Sequence, residues 1–220
     1  MNRLLVSYLS LTARLCVRFK QYDRALELYD DIEKRSPGNT APVMAQGHVW
    51  GLKGDRARAR AEFERALRMN PGEAVAHFNV GWVCDQQGLH DEALGHFRRA
   101  LDINPDIDRA WYGMGIIHIK HHRHLEAKKA FQEVVRIEPM NQHGWYQLGM
   151  THFVLGEMTE LDGLKNHTLK FNPKVAYLLD IDTKKLTQQR DAAATAGVPP
   201  PAAASAPAPA PASTPAAAQA

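Results

Sequence analysis

The chain has 220 residues, 45% of them hydrophobic and 23% charged, with a net charge of +3 at pH 7. This mild basic excess is far from the dense Lys/Arg stripes of a nucleic-acid binder, so no nucleic-acid partner is expected. No stretch of about 20 apolar residues occurs, so no membrane-spanning helix is expected.

One interval organises the rest. Prolines stand at Pro37, Pro71, Pro105, Pro139 and Pro173, each 34 residues after the last. A period of that length is the signature of stacked helical repeats. Other places fall into the same register: Ala13, Gly47, Gly81, Gly115 and Gly149; then Ala25, Ala59, Ala93, Ala127 and Leu161; then Tyr29, Phe63, Phe97, Phe131 and Lys165. Apolar residues between these marks run at helical spacing, as in Leu4, Leu5, Tyr8, Leu11, Leu15. Each period therefore predicts helix, short turn, helix, short turn. Gly54, Gly88 and Gly156 share the turn inside the period, where a left-handed residue ends a helix. The residue before each proline is pushed out of helical conformation, which ends the second helix.

In chain order, the first period spans about 3–37, with helices near 3–19 and 22–35. Met1 to Leu11 has some features of a leader peptide, but the segment is in register and is read as the first helix of a repeat. The second period, about 40–71, has a basic second helix carrying Arg56, Arg58, Arg60, Arg65 and Arg68 among Glu62 and Glu64. That pattern predicts a solvated helix face. The third and fourth periods cover about 74–105 and 108–139, and the fifth, about 142–173, has a worn second half with Gly163 inside it. A capping helix is predicted over 174–190, with Val175, Leu178, Leu179 and Leu186 on one stripe. From 191 to 220 the composition collapses to Ala, Pro, Ser and Thr, which predicts a disordered tail.

The pattern resembles the tetratricopeptide repeat, W-x2-L-G-x2-Y followed by A-x3-F and P. Trp111, Met114, Gly115, Ala127, Phe131 and Pro139 carry it best, while the fifth period keeps Trp145, Leu148 and Gly149 but has Leu161 and Lys165 in place of Ala and Phe. The resemblance implies an all-α, right-handed superhelical solenoid with a concave face lined by the first helices. The groove places it implies include Phe78, Trp82, Tyr112, Ile116, Ile119, Tyr146, Met150 and Phe153, with Asn79 and Arg109 beside them. Chaperone-binding members of the family hold a terminal carboxylate in a clamp. Of its places here, Met44, His48, Asn79, Arg109 and Gly113, only Asn79 and the charge of Arg109 fit, so that ligand is not expected.

The function expected is a non-catalytic scaffold or adaptor that binds a peptide or amphipathic helix in this groove. The partner would be apolar or aromatic with acidic flanks, to suit Arg109 and Lys120. The alternative is an assembly subunit of a cell-envelope apparatus of the secretion or pilus type, tethered by the first helix or the tail. A more distant one is an accessory domain to a separately encoded enzyme. Cover of the groove by the 174–190 helix also stays open. No phosphate loop, paired-Cys zinc pattern or nucleophile elbow occurs, so neither enzyme activity nor a cofactor is expected. His118, His121 and His122 share helical spacing, but no carboxylate or Cys completes a metal set. Cys16 and Cys84 lie a whole repeat apart, beyond the roughly 7 Å that a disulfide spans. They read as buried thiols of a cytoplasmic protein, with membrane association as the alternative.

Overall fold

The computed structural model describes residues 2–195. Among the described residues every regular element is an α-helix and no strand occurs: α1 (Asn2–Arg18), α2 (Tyr22–Arg35), α3 (Thr40–Leu52), α4 (Arg56–Met69), α5 (Ala74–Gln86), α6 (His90–Ile103), α7 (Asp108–Lys120), α8 (His124–Ile137), α9 (Gln142–Leu155), α10 (Met158–Leu169) and α11 (Pro173–Thr195). These are the five expected helix pairs followed by one further helix. That last helix runs past the expected end at Arg190 and takes in residues 191–195. The rest of the expected tail, 196–220, lies outside the described residues.

The turn inside each period is the same device five times. Lys20, Gly54, Gly88, His122 and Gly156, one per period, all have positive φ, from 57° to 83°. The next amide then donates back to the carbonyl five residues earlier: Gln21 to Cys16, Asp55 to Trp50, Leu89 to Cys84, Arg123 to His118 and Glu157 to His152, at 2.8–3.0 Å. This is the double-bonded helix ending that a left-handed residue permits. Glycine adopts it without steric cost; the side chains of Lys20 and His122 do so under strain. His122→Gly is therefore expected to raise stability by about 0.5–1 kcal/mol, seen as a higher melting temperature. A lower one would show that contacts of the imidazole outweigh the backbone gain. The second turn is set by the residue before each proline, which is extended: Asn70 at φ −141°, ψ 96° and Asn104 at φ −137°, ψ 101°. Asn39, Asp55 and Asn141 cap the helices that follow them by accepting from the amides of Ala41, Arg58 and Gly144.

The registered small residues and rings meet in pairs. A methyl added to Gly47 would lie 2.6 Å from the Phe63 ring, one added to Gly81 2.8 Å from Phe97, and one added to Gly115 2.6 Å from Phe131. Each ring is almost wholly buried. The first helix of the period thus needs a bare backbone because an aromatic ring from the second lies directly on it. The fifth period has no such ring, since Lys165 stands in its place. Leu179 of α11 fills the slot instead, 2.7 Å from where a Gly149 methyl would sit.

The described residues divide into two compact units between Pro105 and Asp106. In the first, α1 to α6 form three helix pairs, with α2 against α3 and α4 against α5. In the second, α7 pairs with α8, α8 packs on α9, and α10 and α11 close around α9. The second unit's core is Ala127, Phe131, Val134, Leu148, Met150, Leu164, Val175 and Leu179.

Charges on the second helices tie neighbouring periods. Arg65 of α4 forks onto Glu33 of α2 at 2.9 Å on both arms and also donates to Gln46. Arg60 pairs with Glu64 and with Glu92 of α6. The basic run of α4 is therefore largely answered by carboxylates of its own and adjacent helices. Cys16 and Cys84 are buried unbridged thiols, and burial pushes the Cys84 thiol up to about 11.

Candidate protein-docking site

In the second unit the expected groove residues sit on α7 and α9. On α7, Tyr112, Ile116 and Ile119 are half-buried and rest on the unit's core from one side. The Tyr112 ring meets Phe131 edge-on at 5.7 Å between centroids. Burial pushes its phenol up to about 12, so it stays protonated and able to donate. Arg109 at the start of α7 and Lys120 at its end are exposed. The row is thus a half-open apolar strip with a cation near each end.

On α9 the same register gives a different environment. Met150 and Phe153 are buried, 4% exposed each, and Met150 belongs to the core with Val175 and Leu179. Tyr146 is half-buried, and its hydroxyl donates to Asp182 of α11 at 2.7 Å. Burial first, and the Asp182 carboxylate second, raise that phenol well above its ordinary range. The helix that the sequence assigns to capping therefore packs along α9 and takes Tyr146 as a partner. Neither Asp182 nor Leu179 was legible as a partner of α9, because neither falls at a registered place.

In the first unit, Phe78 is buried beside Phe97 at 5.9 Å, and Trp82 is half-buried on the same helix, α5. Asn79 is 2% exposed, and among the described residues its side-chain oxygen has no hydrogen-bond partner. Trp50 on α3 carries two cations over its face, Lys53 at 4.8 Å and Arg58 at 4.4 Å, an arrangement no periodic signal marked.

The histidines separate. His118 is buried, His121 and His122 are exposed, and His124 meets His122 edge-on at 6.1 Å. Among the described residues no group of three or more His, Cys, Asp or Glu is placed to hold a metal ion. Nor, among them, is any helix long and apolar enough to cross a membrane.

Comparisons agree with this architecture. A family model described as tetratricopeptide repeat matches residues 53–106. Among curated proteins no sequence relative matches. Solved structures match at the level of the fold. One is YrrB, described as a tetratricopeptide-repeat protein with an unusual peptide-binding site; it is 21% identical, the match covers 80% of this chain and 90% of that one, and the TM-score is 0.61. Another is pilF of Pseudomonas aeruginosa, 16% identical, covering 89% and 90%, with a TM-score of 0.72. A third is MamA from Desulfovibrio magneticus RS-1, 18% identical, covering 80% and 96%, with a TM-score of 0.61.

Proposed function

The chain is a run of tetratricopeptide repeats, in general a non-catalytic protein-interaction fold, and on that premise we propose that it is an adaptor which holds an apolar peptide or amphipathic helix along α7. The observation that supports this most is the strip of Tyr112, Ile116 and Ile119, half-exposed between Arg109 and Lys120. Aromatic and branched side chains supply contact area, and the two cations favour a ligand with acidic ends. A helix laid on such a strip would use residues at i, i+3, i+4 and i+7. Trp82 offers the first unit a smaller apolar contact of its own.

Selection from a displayed random peptide library tests the reading. The enriched ligands should carry aromatic or aliphatic anchors flanked by Asp or Glu. Truncation of a central aromatic typically costs about 2 kcal/mol or more, so Tyr112→Ala should weaken a selected peptide by roughly 30-fold or more. Arg109→Glu should weaken it through the acidic flank and reduce its salt dependence. Because Tyr112 also touches Phe131, Ile116→Ser serves as the companion variant, and melting temperatures accompany each titration. Peptides that bind both Tyr112→Ala and Ile116→Ser as tightly as the parent would sink the proposal.

The second reading, assembly within a cell-envelope apparatus, is favoured by one observation: the outward face of α1 is apolar. The likeness to pilF carries the fold alone and adds nothing to it.

A further inference from the structure

α1 presents an exposed row of large apolar side chains. Leu4 is 80% exposed, Tyr8 65%, Leu11 60%, Leu15 50% and Phe19, just past the helix, 72%. Their spacing puts them on one side of the helix, opposite the side that Ala13 and Cys16 bury with α2. The polar residue inside this row, Thr12, turns its hydroxyl back onto the Tyr8 carbonyl at 2.9 Å, which removes its need for an outside partner. Arg14 and Arg18 are exposed along one edge, and from Asn2 to Arg18 the helix carries no carboxylate.

The register says what this row is not. The place of Tyr8 is held in later periods by Pro42, Ala76, Ala110 and Gly144, all buried. At Gly144 an added methyl would lie 2.6 Å from Val134 of the preceding helix, so these places are small because another helix approaches closely. Tyr8 is too large for that approach, and a further repeat docked in the usual way would clash with it. A second copy laid face to face on α1 would bring Arg14 and Arg18 towards a helix that has cations and no carboxylates. A deformable apolar medium with an anionic surface meets both conditions. A helix lying in the plane of a membrane interface has this composition: Leu, Phe and Tyr on one side, cations at the edge, and no acids.

We propose that α1 docks on anionic lipid bilayers, its apolar row entering the headgroup boundary and Arg14 and Arg18 contacting lipid phosphates. This is independent of the strip on α7.

The test is flotation of the full chain with vesicles of phosphatidylcholine, with and without phosphatidylglycerol. Binding is expected to the anionic vesicles and should fall as salt screens the cations. Leu11→Glu with Leu15→Glu should weaken partition roughly tenfold or more. Arg14→Glu with Arg18→Glu, which leaves the apolar row intact, should weaken it about 25-fold, or roughly fivefold for each cation removed. Tyr112→Ala should not affect it. Circular dichroism confirms that each variant is folded; if the Leu pair unfolds the chain, the Arg pair decides. Absence of wild-type partition, or partition unmoved by the Arg pair, would overturn the proposal. So would a dimer in sedimentation equilibrium that Leu11→Glu with Leu15→Glu dissociates, with no vesicle binding, because a second copy would then be the occupant.

Discussion

Phe131→Ala is expected to lower the unfolding free energy of the second unit by roughly 3–5 kcal/mol. The ring is wholly buried and lies on the bare backbone of Gly115. Removing it deletes the contact area of a full aromatic side chain and leaves a cavity that rigid helices close only in part. It also strips Tyr112 of its edge-on partner. Gly115 cannot compensate, since it has no side chain to turn inward. Urea denaturation followed by circular dichroism measures the loss, and hydrogen exchange should place it first in α7 to α9. Phe97→Ala gives the matching experiment in the first unit, where the ring lies on Gly81. A loss below about 1 kcal/mol at Phe131 would mean that the helix pair closes over the vacancy and that the ring is not its anchor.

The second large effect concerns Leu179, which replaces the missing ring of the fifth period. Leu179→Ala should cost about 2–5 kcal/mol, since the side chain is wholly buried in the core with Leu148, Met150 and Leu164. Gly149→Ala should cost about 1–3 kcal/mol by overpacking, because its new methyl would stand 2.7 Å from a Leu179 methyl. The two together should cost less than their sum, with a coupling of about 0.5–3 kcal/mol. The reason is steric: the shortened residue makes the room that the added methyl needs. Additive costs would show that Leu179 swings away from Gly149 at no expense, and that α11 is held to α9 by other contacts such as Tyr146 with Asp182.

Much of the candidate site is legible in the amino-acid sequence. The row Tyr112, Ile116, Ile119 follows from helical spacing on a first helix, and so does its placement between Arg109 and Lys120. Its half-exposed state does not follow, because spacing assigns a face and leaves open what lies against it. Tyr146, Met150 and Phe153 occupy equivalent places and read the same way. α11 lies along α9, and with Met150 and Phe153 buried that row is part of a core rather than a surface.

The sequence by itself determined the period, the helix pairs and their turns, since these depend on contacts between residues close along the chain. A proline every 34 residues, a small residue and then a ring 16 residues later are local rules that repeat, and each acts within one period. Even so, the left-handed turn residues at Lys20 and His122 became visible only through backbone angles, because neither side chain advertises the conformation as glycine does. Tertiary structure alone decided what happens where the repetition stops. In the fifth period the residue that fills the slot on the glycine comes 30 positions later, outside the register, so no periodic signal could anticipate Leu179. At the first period α1 has no earlier helix among the described residues to bury Leu4, Tyr8, Leu11 and Leu15, and the face that later periods keep small and covered stands open. Burial at a repeat's boundary depends on the next neighbour in space, and that neighbour is not encoded in the repeat.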